Sequence, residues 1–120
     1  MAEIVQRRRA ERDRLISVAR DYVARLSSRI PVRAAAVVGS VARGDFNVWS
    51  DIDVIVVSDA LPERIPDRAA VLADVGSGGV EPVGFTTSGF RAALAKGNRL
   101  ARSVRDEGVI LLGRSFFHDE

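Results

Sequence analysis

The fold class this sequence predicts is a single α/β domain, with a small mixed β-sheet and helices packed on one side of it. Three observations support that class. Apolar stretches of strand length recur at Ala34–Val38, Asp51–Val57, Gly79–Phe85 and Val109–Leu112. An apolar stripe at helical spacing precedes them. A composition of 47% hydrophobic and 28% charged residues over 120 positions suits one globular unit with its own core. The unit is read as residues 1–120, with a basic N-terminal helix over about 3–28 and a core over about 30–113. No internal repeat, linker or low-complexity segment interrupts it.

The first helix follows from Leu15, Val18, Tyr22, Val23, Leu26 and Ile30, which recur three and four apart, and Pro31 ends it. Its start, Arg7-Arg8-Arg9-Ala10-Glu11-Arg12-Asp13-Arg14, is charged almost throughout. Arg7 with Glu11 and Arg9 with Asp13 stand four apart, so the spacing predicts a solvated, salt-bridged surface. Ala34–Val38 reads as a short buried strand that runs into Gly39-Ser40-Val41-Ala42-Arg43-Gly44, a glycine turn with one or two turns of helix. The β-branched run Val54-Ile55-Val56-Val57 extends Asp51-Ile52-Asp53 as a second strand. A helix fits Asp67–Asp74 with Ala69–Ala73 as its buried side, and Ser77-Gly78-Gly79 turns into the third strand. Pro82 cannot donate to a sheet ladder, which puts this strand at an edge or ends it. Thr87 or Ser88 is expected to cap a helix carrying Phe90 and Leu94; Gly97-Asn98 breaks it, and Leu100 and Val104 mark another before Gly108. Val109–Leu112 closes as a last strand. His118, the only histidine, falls in the terminal Phe116–Glu120 stretch and is expected to be a surface residue at a frayed end.

The chemistry concentrates in two short motifs. In a strand, residues i and i+2 face the same way, so Asp51 and Asp53 project together and Ile52 points opposite. Two anionic groups on one face repel, and a hard divalent cation such as magnesium, which favours carboxylate and phosphate oxygens, resolves the conflict. Upstream, the helix that starts at Gly39 presents unpartnered N–H groups and partial positive charge, a setting that favours phosphate. Gly39 permits close backbone approach, the Ser40 hydroxyl can reach a terminal phosphate oxygen, and Arg43 offers a charge-assisted contact unless it is simply a solvated arginine. Trp49, the only tryptophan, lies in the loop Asp45–Ser50 between the motifs. It can stack on a base or anchor the loop on the core, and anchoring is the expectation. Asp45 reads as a turn or cap residue, not a further metal ligand.

Gly39-Ser40-Val41-Ala42-Arg43-Gly44-Asp45, followed by Trp49-Ser50-Asp51-Ile52-Asp53-Val54-Ile55-Val56-Val57, resembles the signature of the DNA polymerase beta-like nucleotidyltransferase superfamily. Within it the chain is most similar to the small prokaryotic minimal nucleotidyltransferase (MNT) domains, over roughly residues 15 to 113. The resemblance implies a nucleotidyltransferase fold and a third carboxylate on a neighbouring strand, for which Glu81 is the candidate; otherwise Glu81 is the charge that protects an edge strand. Many relatives carry aspartate at that position. It further implies two-metal transfer of NMP, AMP foremost, from ATP or another NTP to an acceptor hydroxyl, with Asp51, Asp53 and Glu81 as metal and catalytic residues and Gly39, Ser40 and Arg43 as nucleotide-binding residues. Magnesium is the default ion, and manganese suits the same ligands. MNT domains are commonly paired with small all-helical HEPN proteins in toxin–antitoxin modules. The resemblance therefore makes a hydroxyl on such a partner the expected acceptor. An antitoxin acting by contact alone is the alternative from another class. Aminoglycoside-type nucleotidylation is a further enzyme alternative, which the lack of an additional drug-holding domain disfavours.

Composition narrows the remaining classes. Cysteine is absent, so disulfides and thiolate metal sites are excluded. No stretch approaches the roughly 20 apolar residues that a membrane helix needs, and Met1-Ala2-Glu3 opens no apolar signal segment, so a cytoplasmic protein is expected. The pI of about 9.9 accompanies a net charge of only +2. Residues 1–33 hold nine arginines against four acids. The basic excess therefore sits on the first helix, and nucleic-acid contact is not expected. The chain's small size leaves little surface to enclose an acceptor, so a partner or self-association is expected.

Overall fold

The computed structural model describes residues 1–118; Asp119 and Glu120 lie outside the described residues. The elements run α1 (Ala2–Ser27), β1 (Ala34–Val38), α2 (Gly39–Arg43), β2 (Ile52–Val57), α3 (Ile65–Ala73), β3 (Val80–Phe85), α4 (Thr87–Ala95), α5 (Arg99–Glu107), β4 (Val109–Leu112) and α6 (Arg114–His118). The sheet order is β3-β2-β1-β4. β1 is antiparallel to both β2 and β4, whereas β2 and β3 are parallel, so the sheet is mixed as expected. β3 is an edge strand, where the missing N–H of Pro82 costs no central ladder bond.

β1 is wholly buried, and its alternation divides the core. Ala35 and Val37 join Ile16, Tyr22, Val23, Leu26, Val41, Val54, Val56 and Leu72 on the face covered by α1, α2 and α3. Ala34, Ala36 and Val38 join Ile55, Val57, Phe90, Ala101, Val104 and Phe117 on the face covered by α4, α5 and α6. The expectation of helices on one side is therefore corrected: both faces are covered. The three alanines of β1 were the clue, since small residues on a central strand let helices approach from both sides.

Tyr22 is fully buried, and its hydroxyl donates to the Leu72 carbonyl at 2.6 Å, tying α1 to α3. Burial pushes the phenol up to about 12. Within the Ala69–Ala73 run expected to be the buried side of α3, Leu72 is buried and Val71 half-buried, while the exposed Ala69, Ala70 and Ala73 correct the rest of that expectation. Thr86 caps α4 by accepting from Gly89 N, one residue before the anticipated Thr87 or Ser88; Asp59 accepts instead from the Thr87 N–H and hydroxyl. Asn98, read as a breaker, caps α5. The chain end is not frayed at residue 116: α6 buries Phe117 against Phe90, while His118 is exposed as expected. Among the described residues no helix is long and apolar enough to cross a membrane.

Candidate active site

Three segments meet at one end of the sheet. β1 ends at Val38 and turns at once into α2, because Gly39 adopts φ +74°, a left-handed conformation that costs other residues energy. A methyl group at Gly39 would collide with Asp53 Oδ2, so the glycine turn and the aspartate carboxylate are in direct apposition. No side chain caps the first N–H groups of α2. Among the described residues the Ser40 hydroxyl has no side-chain hydrogen bond.

The strand register fixes the carboxylates. Asp53 pairs with Val38 on one side and with Glu81 on the other. Because Val38, Ile55, Val57 and Phe85 all belong to the second core layer, Asp53 and Glu81 project from the α4–α6 face, where the helices leave the sheet end uncovered. Ile52 is buried in the opposite layer, which is the alternation expected of a strand. Asp51 stands just before β2, not within it, and is exposed. It is nevertheless close enough to act on Asp53: burial first, then the Asp51 charge, raises the Asp53 carboxyl above its ordinary value, with Arg43 opposing. Glu81 is exposed beside Asp53, and among the described residues no group of three or more His, Cys, Asp or Glu side chains converges tightly enough to hold an ion unaided. Backbone register thus brings Glu81 alongside the aspartates without closing a triad.

Arg43 is held between α2 and α5 by two carboxylates, Asp45 and Glu107, each 3.1 Å away. Asp45 is a partner of Arg43, in keeping with its expected non-ligand role.

Two residues that the sequence reading treated as surface charge position the site. The Arg8 guanidinium donates to the Gly44 and Phe46 carbonyls at 2.9 and 2.8 Å and stacks 4.2 Å from the Phe46 ring centroid. Arg12 donates to the Val41 and Ala42 carbonyls at 3.1 and 2.8 Å, satisfying the unpaired C-terminal end of α2. Glu11 pairs with Arg14 at i+3, so the anticipated Arg7–Glu11 and Arg9–Asp13 pairs are not those formed. The i, i+4 spacing of Arg8 and Arg12 is shared by Arg7 with Glu11 and by Arg9 with Asp13, so it did not single out these two arginines. The loop they hold carries Val48 and Trp49 at its tip. Trp49 is 88% exposed, which corrects the expectation that it anchors the loop; buried Phe46 does that. Asn47 and Ser50 close the turn beneath it, Ser50 Oγ accepting from Asn47 N and Asn47 Oδ1 from Trp49 N.

A mixed sheet with paired acidic residues at the end of one strand, facing a glycine–serine turn into a helix, defines an α/β domain with an acidic site at the end of its sheet. The model of the nucleotidyltransferase domain family matches residues 16–108, and the chain belongs to that family. Its fold is similar to the crystal structure of a provisionally assigned nucleotidyltransferase from Sulfolobus solfataricus, with a TM-score of 0.64 and 22% identity over 86% of this chain and 84% of that one. No curated protein matches the sequence significantly.

Proposed function

We propose that this nucleotidyltransferase is metal-dependent and moves NMP, AMP foremost, from an NTP to an acceptor hydroxyl on a partner protein. The observation that carries the reading is the apposition of Gly39 to Asp53, with Glu81 beside Asp53 in register and Asp51 acting on the same carboxyl. Among the described residues no arginine or lysine forms a salt bridge with any of the three, so their charge is left to an external cation. The donor set is made of hard oxygens and fits magnesium or manganese. Asp51 and Asp53 would hold such an ion, with Glu81 contributing from the neighbouring strand. Bound there, it supplies charge neutralisation on the triphosphate and activation of the attacking oxygen.

The chain's own residues account for the rest. The Gly39 turn lets phosphate oxygens approach the backbone, the first N–H groups of α2 and the Ser40 hydroxyl donate to them, and Arg43 adds charge from the next turn. The acceptor oxygen forms its bond to the α-phosphorus as the bond to the β-bridging oxygen breaks. Pyrophosphate leaves with that electron pair, and the acceptor's proton passes to a carboxylate or to solvent. Positioning and electrostatics suffice, and no side-chain nucleophile is needed.

The exposed Val48–Trp49 tip, two residues from Asp51, favours a protein as the acceptor, and a small all-helical HEPN-type protein is the partner to test first. The same tip supports a second reading, in which the chain neutralises its partner by contact alone. Incubation with α-labelled ATP, magnesium and the partner separates the two. Transfer that Asp53→Asn abolishes supports the enzyme; tight complex formation without transfer supports the contact module; transfer indifferent to Asp53→Asn would sink the site proposed here.

A further inference from the structure

The buried residues of α1 begin at Ile16, and among the described residues none from Ala2 to Leu15 is buried. Apolar packing therefore does not explain what the first half of this helix is for. What it delivers is Arg8 and Arg12, one turn apart on one face. Their guanidinium groups donate four hydrogen bonds to backbone carbonyls 29 to 38 positions ahead. All four acceptors fall in one segment. Val41 and Ala42 belong to α2, a helix of five residues and too short to hold itself in place, while Gly44 and Phe46 open the loop that leads to Asp51. The tip of that loop is closed on itself by Asn47 and Ser50, and it is fastened to the molecule by buried Phe46 with Arg8 stacked on its ring. Strand register fixes Asp53, whereas Asp51 precedes β2 and takes its place from the loop.

We propose that Arg8 and Arg12 are positioning residues of the donor site: bracketing α2 and the loop from one helix face, they make residues 39–50 one body and so set where Ser40 and Asp51 stand relative to Asp53. The inference rests on the donor-site reading above and adds to it two residues that act through backbone carbonyls. The chemistry of the side chain suits the task. Arg12 uses two nitrogens of one planar edge, Nε and Nη2, to hold the successive carbonyls of Val41 and Ala42, and Arg8 Nη2 spans the carbonyls of Gly44 and Phe46. A lysine carries the same charge on a single nitrogen and lacks that fork. Charge at the C-terminal end of α2 is favourable in itself, so the test must separate the bracket from the charge.

Magnesium ATP is titrated calorimetrically into the full chain, Arg8→Ala/Arg12→Ala and Arg7→Ala/Arg9→Ala, and the anisotropy of Trp49, the only tryptophan, is read on the same samples. Arg7 and Arg9 are exposed on the same stretch of α1 and form no salt bridge among the described residues, so their variant removes equal charge and leaves the bracket intact. The bracket variant should lose about tenfold or more in ATP affinity, the scale on which a small misplacement of binding groups is felt, and its Trp49 anisotropy should fall. The charge-matched variant should stay within about twofold of the wild type, as expected for exposed charges. An Arg8→Lys/Arg12→Lys variant should recover only part of the loss. If the double alanine variant melts below the assay temperature, Arg8→Ala alone carries the test, since that side chain is exposed and its removal leaves α2 bonded to Arg12. ATP affinity that the bracket variant leaves intact, or an equal loss in the charge-matched variant, overturns this inference alone. A wild-type chain that binds no magnesium ATP overturns the donor-site reading together with it.

Discussion

Gly39→Ala separates what the turn does for the fold from what it does for the site. The substitution introduces two problems of different kinds. At φ +74° an alanine is in the left-handed region, which costs about 1–2 kcal/mol for a residue with a Cβ. The new methyl also meets the Asp53 carboxylate, which is the free end of a side chain and can rotate away. The steric clash therefore adds little to the folding cost but displaces the carboxylate. For a domain of this size, about 1–2 kcal/mol corresponds to a fall of roughly 3–12 °C in melting temperature. The expected loss of magnesium-ATP affinity is larger, because phosphate approach and carboxylate placement are both disturbed; about tenfold to a hundredfold is the scale of losing one or two charge-assisted contacts. Thermal denaturation and calorimetric titration on the same preparations measure the two effects. A Gly39→Ala/Asp53→Ala double variant removes the clash and retains the backbone cost, so its melting loss relative to Asp53→Ala should match that of the single variant. If Gly39→Ala melts with the wild type and binds ATP equally well, neither the strained turn nor its apposition to Asp53 has the importance assigned to it.

Asp53→Asn should raise the melting temperature while abolishing metal-dependent ATP binding. The Asp53 carboxyl is raised in the fold by burial and by Asp51, so the native state holds its proton more tightly than the unfolded chain. Its contribution is favourable below the unfolded pKa and is lost as pH rises through the folded value; melting curves across that interval should fall for the wild type and flatten for the asparagine variant. Tyr22→Phe deletes the 2.6 Å bond to the buried Leu72 carbonyl and should cost about 1–3 kcal/mol in denaturant titration, with little effect on nucleotide affinity. Glu107→Gln frees Arg43 from one of its two carboxylates and should strengthen ATP binding at low salt, an effect that rising ionic strength diminishes. Trp49, as the lone and exposed tryptophan, should emit at solvent-exposed wavelengths and shift to the blue when the protein partner docks; an emission already blue in the free chain would contradict the loop geometry.

Asp53 and the glycine turn were legible in sequence because strand alternation and backbone freedom are local properties, whereas Asp51, expected on the same strand face, stands just before β2. Asp53 and Ile52 face opposite ways for the reason that any two neighbours in a strand do. Glu81 was legible as a strand residue, but its place beside Asp53 depends on a parallel register that local pattern does not encode. The roles of Arg8 and Arg12 were hidden because an arginine on a charged helix looks the same whether it meets water or a carbonyl 30 or 38 positions away. Trp49 misled for a related reason. Large aromatic residues usually pack, and only the Asn47–Ser50 turn, with Phe46 taking the buried position, turns this one outward.

The straps from α1 have a consequence for where this protein can be cut. The matched family span begins at residue 16, yet Arg8 and Arg12 lie before it. Ile16, Ala19, Tyr22, Val23 and Leu26, which anchor α1 on the sheet, all lie within it. A fragment starting at residue 16 would therefore retain its core and lose the brackets that hold α2 and the loop beyond it. For this chain the limit of the domain as a folding unit and its limit as a working unit differ by about two turns of helix.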